Sequence, residues 1–183
     1  MIYGDRVRLR HNEKSDLPRY VDWLNDPEMR AGISVFLPMS QVEEERWFEE
    51  MMKKDPIERP FAVDLREGDR WTHVGSCGLF RFNHRSRSAE LGIAIGAKER
   101  WGEGIGADTM GALMQHGFET LNLNRIFLRV FDFNERAIRL YRSLGFVEEG
   151  RLRQDAYYKG KYRDTLLMGM LRTEWENLRT GED

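Results

Sequence analysis

The sequence predicts an α/β fold in one domain covering residues 1–183. Three observations lead there. Short runs with period-two alternation of apolar and polar residues alternate with longer, capped stretches of helical period. A glycine-rich loop runs directly into one of those helical stretches. No repeat, low-complexity segment or linker interrupts the chain, and 183 residues suffice to bury a core.

The elements follow in order. "DRVRLRH" alternates Val7 and Leu9 with charges and reads as a first strand. "SDLPRYVDWLND" reads as a short helix with Ser15 as N-cap and "NDP" as its stop. "SQVEEERWFEEMMKK" opens with Ser40 and Glu43 in the spacing of a capping box, acidic early and basic late. "RPFAVDLRE", "THVGSCGLFRF" and "SAELGIAIG" are three further strands between polar turns. Past the glycine loop, Ile105, Thr109, Met110, Leu113, Met114, Gly117, Phe118 and Leu121 trace one helical face. "RIFLRVF" is a fifth strand, "NERAIRLYRSLGF" a helix from Asn134 to Gly145, and "YRDTLLMGML" a last strand.

Composition excludes several classes. With 29 Lys+Arg against 31 Asp+Glu the formal charge is −2, so bulk electrostatics do not point to a nucleic-acid partner. A single cysteine, Cys77, leaves no disulfide framework and fits a reducing compartment. His11, His73, His84 and His116 are scattered without ligand spacing, so no metal is expected. "MIYGDRVRLR" lacks an apolar signal core and no long apolar run follows, which predicts a soluble cytoplasmic protein with no membrane partner.

The loop "KERWGEGIGADTMGALMQHGF" places three glycines within five residues in front of a helix. Glycine there costs entropy and lets a ligand approach the backbone, while a helix N-terminus offers unpaired N–H groups to phosphate. Gly102 to Ala107 satisfies the dinucleotide pattern G-x-G-x-x-G/A, but "AKERW" separates it from the preceding strand, where the fingerprint wants the first glycine at the strand end. A nucleoside-triphosphate loop would need a Lys-Ser/Thr pair after the glycines. Glycines serving only tight strand–helix packing are the plain alternative.

This segment resembles the acetyl-CoA signature Q/R-x-x-G-x-G/A of the Gcn5-related N-acetyltransferases (GNAT). Gly104 and Gly106 match, Gly102 is an extra glycine that many members carry, and Trp101 stands at the Q/R position with Arg100 before it. "NERAIRLYRSLGF" resembles the family's N-x-x-A-x-x-L-Y-x-x-x-G-F helix. The tail "EEGRLRQDAYYKGKYRDTLLMGML" and "VDWLNDPEMR" near the start are similar to the branch of ribosomal-protein alanine and spermidine N-acetyltransferases. The resemblance covers essentially the whole chain.

It implies a GNAT-like fold, a central mixed and mostly antiparallel sheet whose fourth and fifth strands splay, flanked by helices. It implies acetyl-CoA as co-substrate without a metal, and direct transfer to a primary amine, a protein N-terminus or a polyamine-like small molecule. The backbone N–H groups of Gly102, Glu103, Gly104, Ile105, Gly106 and Ala107 would cradle the pyrophosphate, with Arg100 and Trp101 at the entrance. Main-chain groups of Ile93, Ala94 and Ile95 would bond the pantetheine arm, and Asn134 would touch the coenzyme as well as cap its helix. Tyr141 would protonate the leaving thiolate. A homodimer is common among similar proteins.

The residues carry their own readings beside this. Ala137, Tyr141 and Leu144 share one stripe, so Tyr141 also reads as a core-edge tyrosine. In "ELGIAIG", Glu90, Gly92 and Ala94 share a strand face whose small residues leave room for a ligand that Glu90 would overlook; a solvated strand-end charge is the alternative. A base matters because the nucleophile must be neutral. An amine of pKa ~10.4 is neutral at pH 7 about once in 2,500 molecules, a term of roughly 4.6 kcal/mol, whereas an α-amine near 7.8 costs only about 1. "QVEEERWFEE", Asp26 and Glu28 offer carboxylates to a cation or simply a solvated face, and Trp23, Trp47 and Trp71 are pocket walls or core. Two rivals stand: a non-catalytic acyl-CoA-binding or regulatory module, and a dinucleotide-dependent oxidoreductase.

Overall fold

A computed structural model describes residues 1–33 and 35–181. Its elements are β1 (Ile2–Tyr3), β2 (Val7–His11), α1 (Leu17–Asn25), α2 (Pro27–Arg30), α3 (Gln41–Met52), β3 (Phe61–Glu67), β4 (Arg70–Asn83), β5 (Ser88–Ile95), α4 (Ile105–Gln115), β6 (Arg125–Phe131), α5 (Glu135–Ser143), β7 (Val147–Tyr158), β8 (Lys161–Leu171) and α6 (Arg172–Thr180). The eight strands form one mixed sheet in the order β1-β2-β3-β4-β5-β6-β8-β7. Because β1 precedes the expected first strand, the pair expected to splay is β5 and β6. Their parallel ladder runs Ser88↔Arg125, Ala89↔Ile126, Glu90↔Phe127 and ends there, although β5 continues to Ile95.

The chain condenses into two compact units, Met1–Phe80 with Gly92–Leu113, and Arg81–Leu91 with Met114–Asp183. In the first, period-two alternation puts Val7, Leu9, Val63 and Leu65 into the core together with Met110 and Leu113 of α4. Leu17 and Tyr20 of α1 pack with Phe48 and Met51 of α3. Asp108, in the first turn of α4, accepts the N–H groups of Asp5 (2.8 Å), Arg6 (2.7 Å) and Val7 (3.0 Å), which pins the β1–β2 turn to that helix. Gly4 is required there: a Cβ would lie 2.2 Å from Asp108 Oδ1. In the second unit Ile126 and Leu128 of β6, Met168 and Met170 of β8 and Ile138 of α5 are buried, and Phe118 stacks on Trp175 of α6 at 5.1 Å.

Local expectations mostly hold. Ser40 and Glu43 make the capping box of α3, and Asn134 Oδ1 accepts the Ala137 N–H at 3.2 Å as the cap of α5. Gly145, at φ 92°, follows Leu144, the C-cap of that helix. Ser15 is not a cap. It lies within a 3₁₀ turn, Lys14–Asp16, whose own box is made by Glu13 and Asp16, and α1 begins at Leu17.

Candidate active site

The glycine loop leaves β5 through a 3₁₀ turn, Lys98–Arg100, and enters α4 at Ile105. Gly102 and Gly104 have φ of 89° and 81°, and a Cβ at either meets nothing within 4 Å. Glycine is therefore needed for the backbone's left-handed turns, and the space beside both residues is open. The first backward bond of the helix is Asp108 N–H to the Gly104 carbonyl, 3.1 Å. The N–H groups of Ile105, Gly106 and Ala107 precede it, so they have no partner inside the helix and stand at its positive end. This is the donor set a pyrophosphate requires, and it fits the expected co-substrate.

Side chains brace the loop. Arg6 Nη1 donates to the Glu103 carbonyl at 3.0 Å, and the Glu103 carboxylate lies 3.5 Å from both Arg6 and Arg100. Arg100 also pairs with Glu67, so its guanidinium is held by carboxylates rather than presented to a phosphate. Trp101 donates its indole N–H to the carbonyl of Ile95, 2.7 Å away. The main chain between those two residues thus closes on itself.

On β5 the expected face is partly filled. A Cβ at Gly92 would lie 3.0 Å from the Phe80 ring, so Phe80 occupies the room that the small residues Gly92 and Ala94 had suggested. The strand's edge is the better platform. The Gly96 N–H donates to Val74 of β4 at 2.9 Å, and Ala94 presents its carbonyl to Gly75 of the same strand. Alternation turns the main-chain groups of Ile93 and Ile95 away from β4, and those of Ala94 toward it. Of the three residues expected to receive pantetheine, Ala94 therefore has its main-chain groups turned to the sheet.

The second unit carries the remaining candidates. Glu90 is the last residue of the β5–β6 ladder. Its Oε2 accepts from Arg81 Nη1 at 2.8 Å and its Oε1 lies 3.7 Å from Arg129 Nε. Tyr141 is buried on α5, its ring 6.1 Å from that of Phe146, and burial pushes its hydroxyl up to about 12. Asn134 spends its carbonyl oxygen on the helix cap, which leaves its amide nitrogen as the atom for a ligand.

Cys77 is fully buried and burial pushes its thiol up, so it is a poor nucleophile. Asp26 and Glu28 are both paired with Lys98, at 2.7 and 3.2 Å. Lys98, together with the α2 N–H groups that Asp26 caps, holds the Asp26 carboxyl below its usual range. In the acidic run of α3, Glu43 is a cap while Glu44 is buried, its carboxyl raised to about 7 by loss of water. Only burial distinguishes Glu44 from its neighbours, so nothing in the sequence singled it out. Trp23 belongs to the α1–α3 core and lies against Gly96, where a Cβ would be 2.0 Å from its ring. Trp47 is partly exposed and meets Tyr20 edge-on, and Trp71 lies under the Arg8 guanidinium at 4.6 Å. Among the described residues no group of His, Cys, Asp and Glu could hold a metal, and no helix is long and apolar enough to cross a membrane.

The glycine loop ahead of α4, with N–H groups suited to a phosphate, lies in a region that the family comparison identifies. Residues 6–147 match the acetyltransferase (GNAT) domain. The chain belongs to the GNAT acetyltransferase family. It is similar to the spermidine N(1)-acetyltransferase of Vibrio cholerae, 32% identical over 177 residues, covering 95% of this chain and 98% of that one. A candidate ribosomal N-acetyltransferase of Bacillus subtilis (strain 168) is 34% identical over 178 residues, covering 94% of this chain and 95% of that protein. Among solved structures, that of the Vibrio cholerae spermidine N-acetyltransferase in complex with CoA and spermine superposes with a TM-score of 0.84 at 29% identity, covering 95% of this chain and 100% of the other. As a GNAT enzyme the chain is an acyltransferase whose co-substrate is acetyl-CoA.

Proposed function

We propose that residues 1–183 act as one domain transferring acetyl from acetyl-CoA to a primary amine of the polyamine class. The observation that carries the donor half is the glycine cradle ahead of α4, with open space beside Gly102 and Gly104. The acceptor class is supported by the spermidine acetyltransferases to which the chain is similar along almost its whole length.

In the proposed reaction the neutral amine attacks the thioester carbonyl carbon, the C–S bond breaks, and the departing sulfur takes a proton from Tyr141. Glu90 takes the ammonium proton through water before that attack, the proton lost by the acylated nitrogen restores Tyr141, and acetylamine and CoA leave. A tyrosine raised to about 12 stays protonated throughout the physiological range, so a donor is always present. No acyl-enzyme is required, and Cys77, buried and unactivated, is not its carrier.

A second acceptor, a peptide α-amine, is favoured by one observation. Lys98 already neutralises Asp26 and Glu28, and an α-amine needs less help to lose its proton than a polyamine does. Thiol release from acetyl-CoA, measured with spermidine, spermine and peptides beginning with Ala or Ser, separates the two. Turnover on polyamines with none on peptides is expected. The reverse pattern transfers the assignment to protein N-termini. CoA binding without turnover on any acceptor makes the protein a binding module and removes the roles given to Tyr141 and Glu90.

A further inference from the structure

We infer that Trp101 is a positioning residue, whose indole N–H sets the register between the phosphate cradle and the pantetheine edge of β5. This rests on the acetyl-CoA reading above and deepens it. Ile95 ends β5, and its carbonyl turns away from β4, on the edge where an added strand-like ligand would bond. Left alone, that carbonyl would be a free acceptor at the end of the edge. The Trp101 indole takes it at 2.7 Å, which leaves the N–H of Ile95 and both main-chain groups of Ile93 on that edge. The pantetheine amides therefore have a defined place to begin.

The same bond closes the segment from residue 95 to 101. One end of that segment is the strand edge, and the other is the first left-handed glycine of the cradle, Gly102 at φ 89°. Coenzyme A must engage both ends at once, its pyrophosphate at one and its pantetheine arm at the other. Fixing their separation in advance removes an ordering cost from binding. The departure from the Q/R pattern at this position then has a chemical reading. Glutamine, arginine and tryptophan share a side-chain N–H donor, and donation to the strand carbonyl is what the position supplies.

The test compares two ligands on three proteins. Dissociation constants of CoA and of its 3′-phospho-ADP half are measured calorimetrically for wild type, Trp101→Phe and Trp101→Gln. Trp101→Phe keeps a ring and loses the donor; it should weaken CoA about tenfold while changing 3′-phospho-ADP less than about twofold, because that half touches only the cradle. Trp101→Gln restores a donor and should recover most of the loss. Equal weakening of both ligands means that Trp101 merely folds the loop, and the inference fails. It fails equally if Trp101→Phe binds CoA as wild type does, or if Trp101→Gln is as weak as Trp101→Phe. Should Trp101→Phe not fold, 3-benzothienylalanine at position 101, a ring of the same size without the N–H, takes its place. Wild type that does not bind CoA at all instead refutes the acetyl-CoA reading itself.

Discussion

Glu90 Oε2 accepts a hydrogen bond from Arg81 Nη1 at 2.8 Å, at the point where the ladder between β5 and β6 ends. Arg129 faces the other carboxylate oxygen at 3.7 Å. Each oxygen of the Glu90 carboxylate thus faces a guanidinium group, of which Arg81 is largely exposed and free to swing aside. Glu90→Gln should lower kcat by roughly 10²-fold at saturating acceptor, while Arg81→Ala, which releases one oxygen, should not lower it. Full activity in Glu90→Gln would reduce the residue to an anchor for two arginines.

Tyr141→Phe should lower kcat by about 10²-fold or more and leave the affinity for CoA within a factor of about two, since in the proposed reaction the hydroxyl acts on the departing sulfur. Burial raises the hydroxyl to about 12, so it should impose no falling limb on the rate profile below about pH 11. A falling limb at pH 8–9 that disappears in the phenylalanine variant would contradict the structure.

Glu44 makes stability depend on pH. Its folded value, about 7, lies above the ordinary 4.5. Below 4.5 the carboxyl is protonated in both states. As pH rises from 4.5 to 7 the unfolded chain loses its proton first, so the folded state loses stability across that window. Above 7 the full penalty, up to roughly 3 kcal/mol, is in place. Glu44→Gln should therefore raise Tm at pH 8 and change it little at pH 4.5. An unchanged Tm at both values would show that the group ionises as if in water.

Asp108 receives three main-chain N–H groups from the turn between β1 and β2. Asp108→Ala leaves those donors unanswered and should cost about 2–4 kcal/mol in urea unfolding. Because the same residue sits in the first turn of α4, CoA affinity should fall with it. A stability loss under about 0.5 kcal/mol would show that the turn finds other partners.

The local devices were written in the sequence, because each depends on a few neighbouring residues: the Ser40–Glu43 box, the Asn134 cap, Gly145 as a stop, and glycines ahead of α4. The alternation of β2 and β6 was legible for the same reason. Strand β7 was not. Register shifts near Glu148 and Leu152, and Gln154 at φ 55°, break its period, and most of its residues are exposed. Helix α1 starts later than expected because Glu13 and Asp16 close a box of their own around Ser15, the residue expected as its cap.

By itself, then, the sequence determined most of the elements, the two family motifs and the placement of a glycine loop at a helix start. Tertiary structure decided which of those groups are free to act. It took Arg100 into pairs with Glu67 and Glu103, gave Asp26 and Glu28 to Lys98, set Phe80 over Gly92, and lifted Glu44 by burying it. It also turned Trp101 from a departure in a motif into a donor for Ile95. The reason is physical: backbone conformation answers to near neighbours, whereas the protonation and availability of a side chain answer to partners brought in from distant parts of the chain.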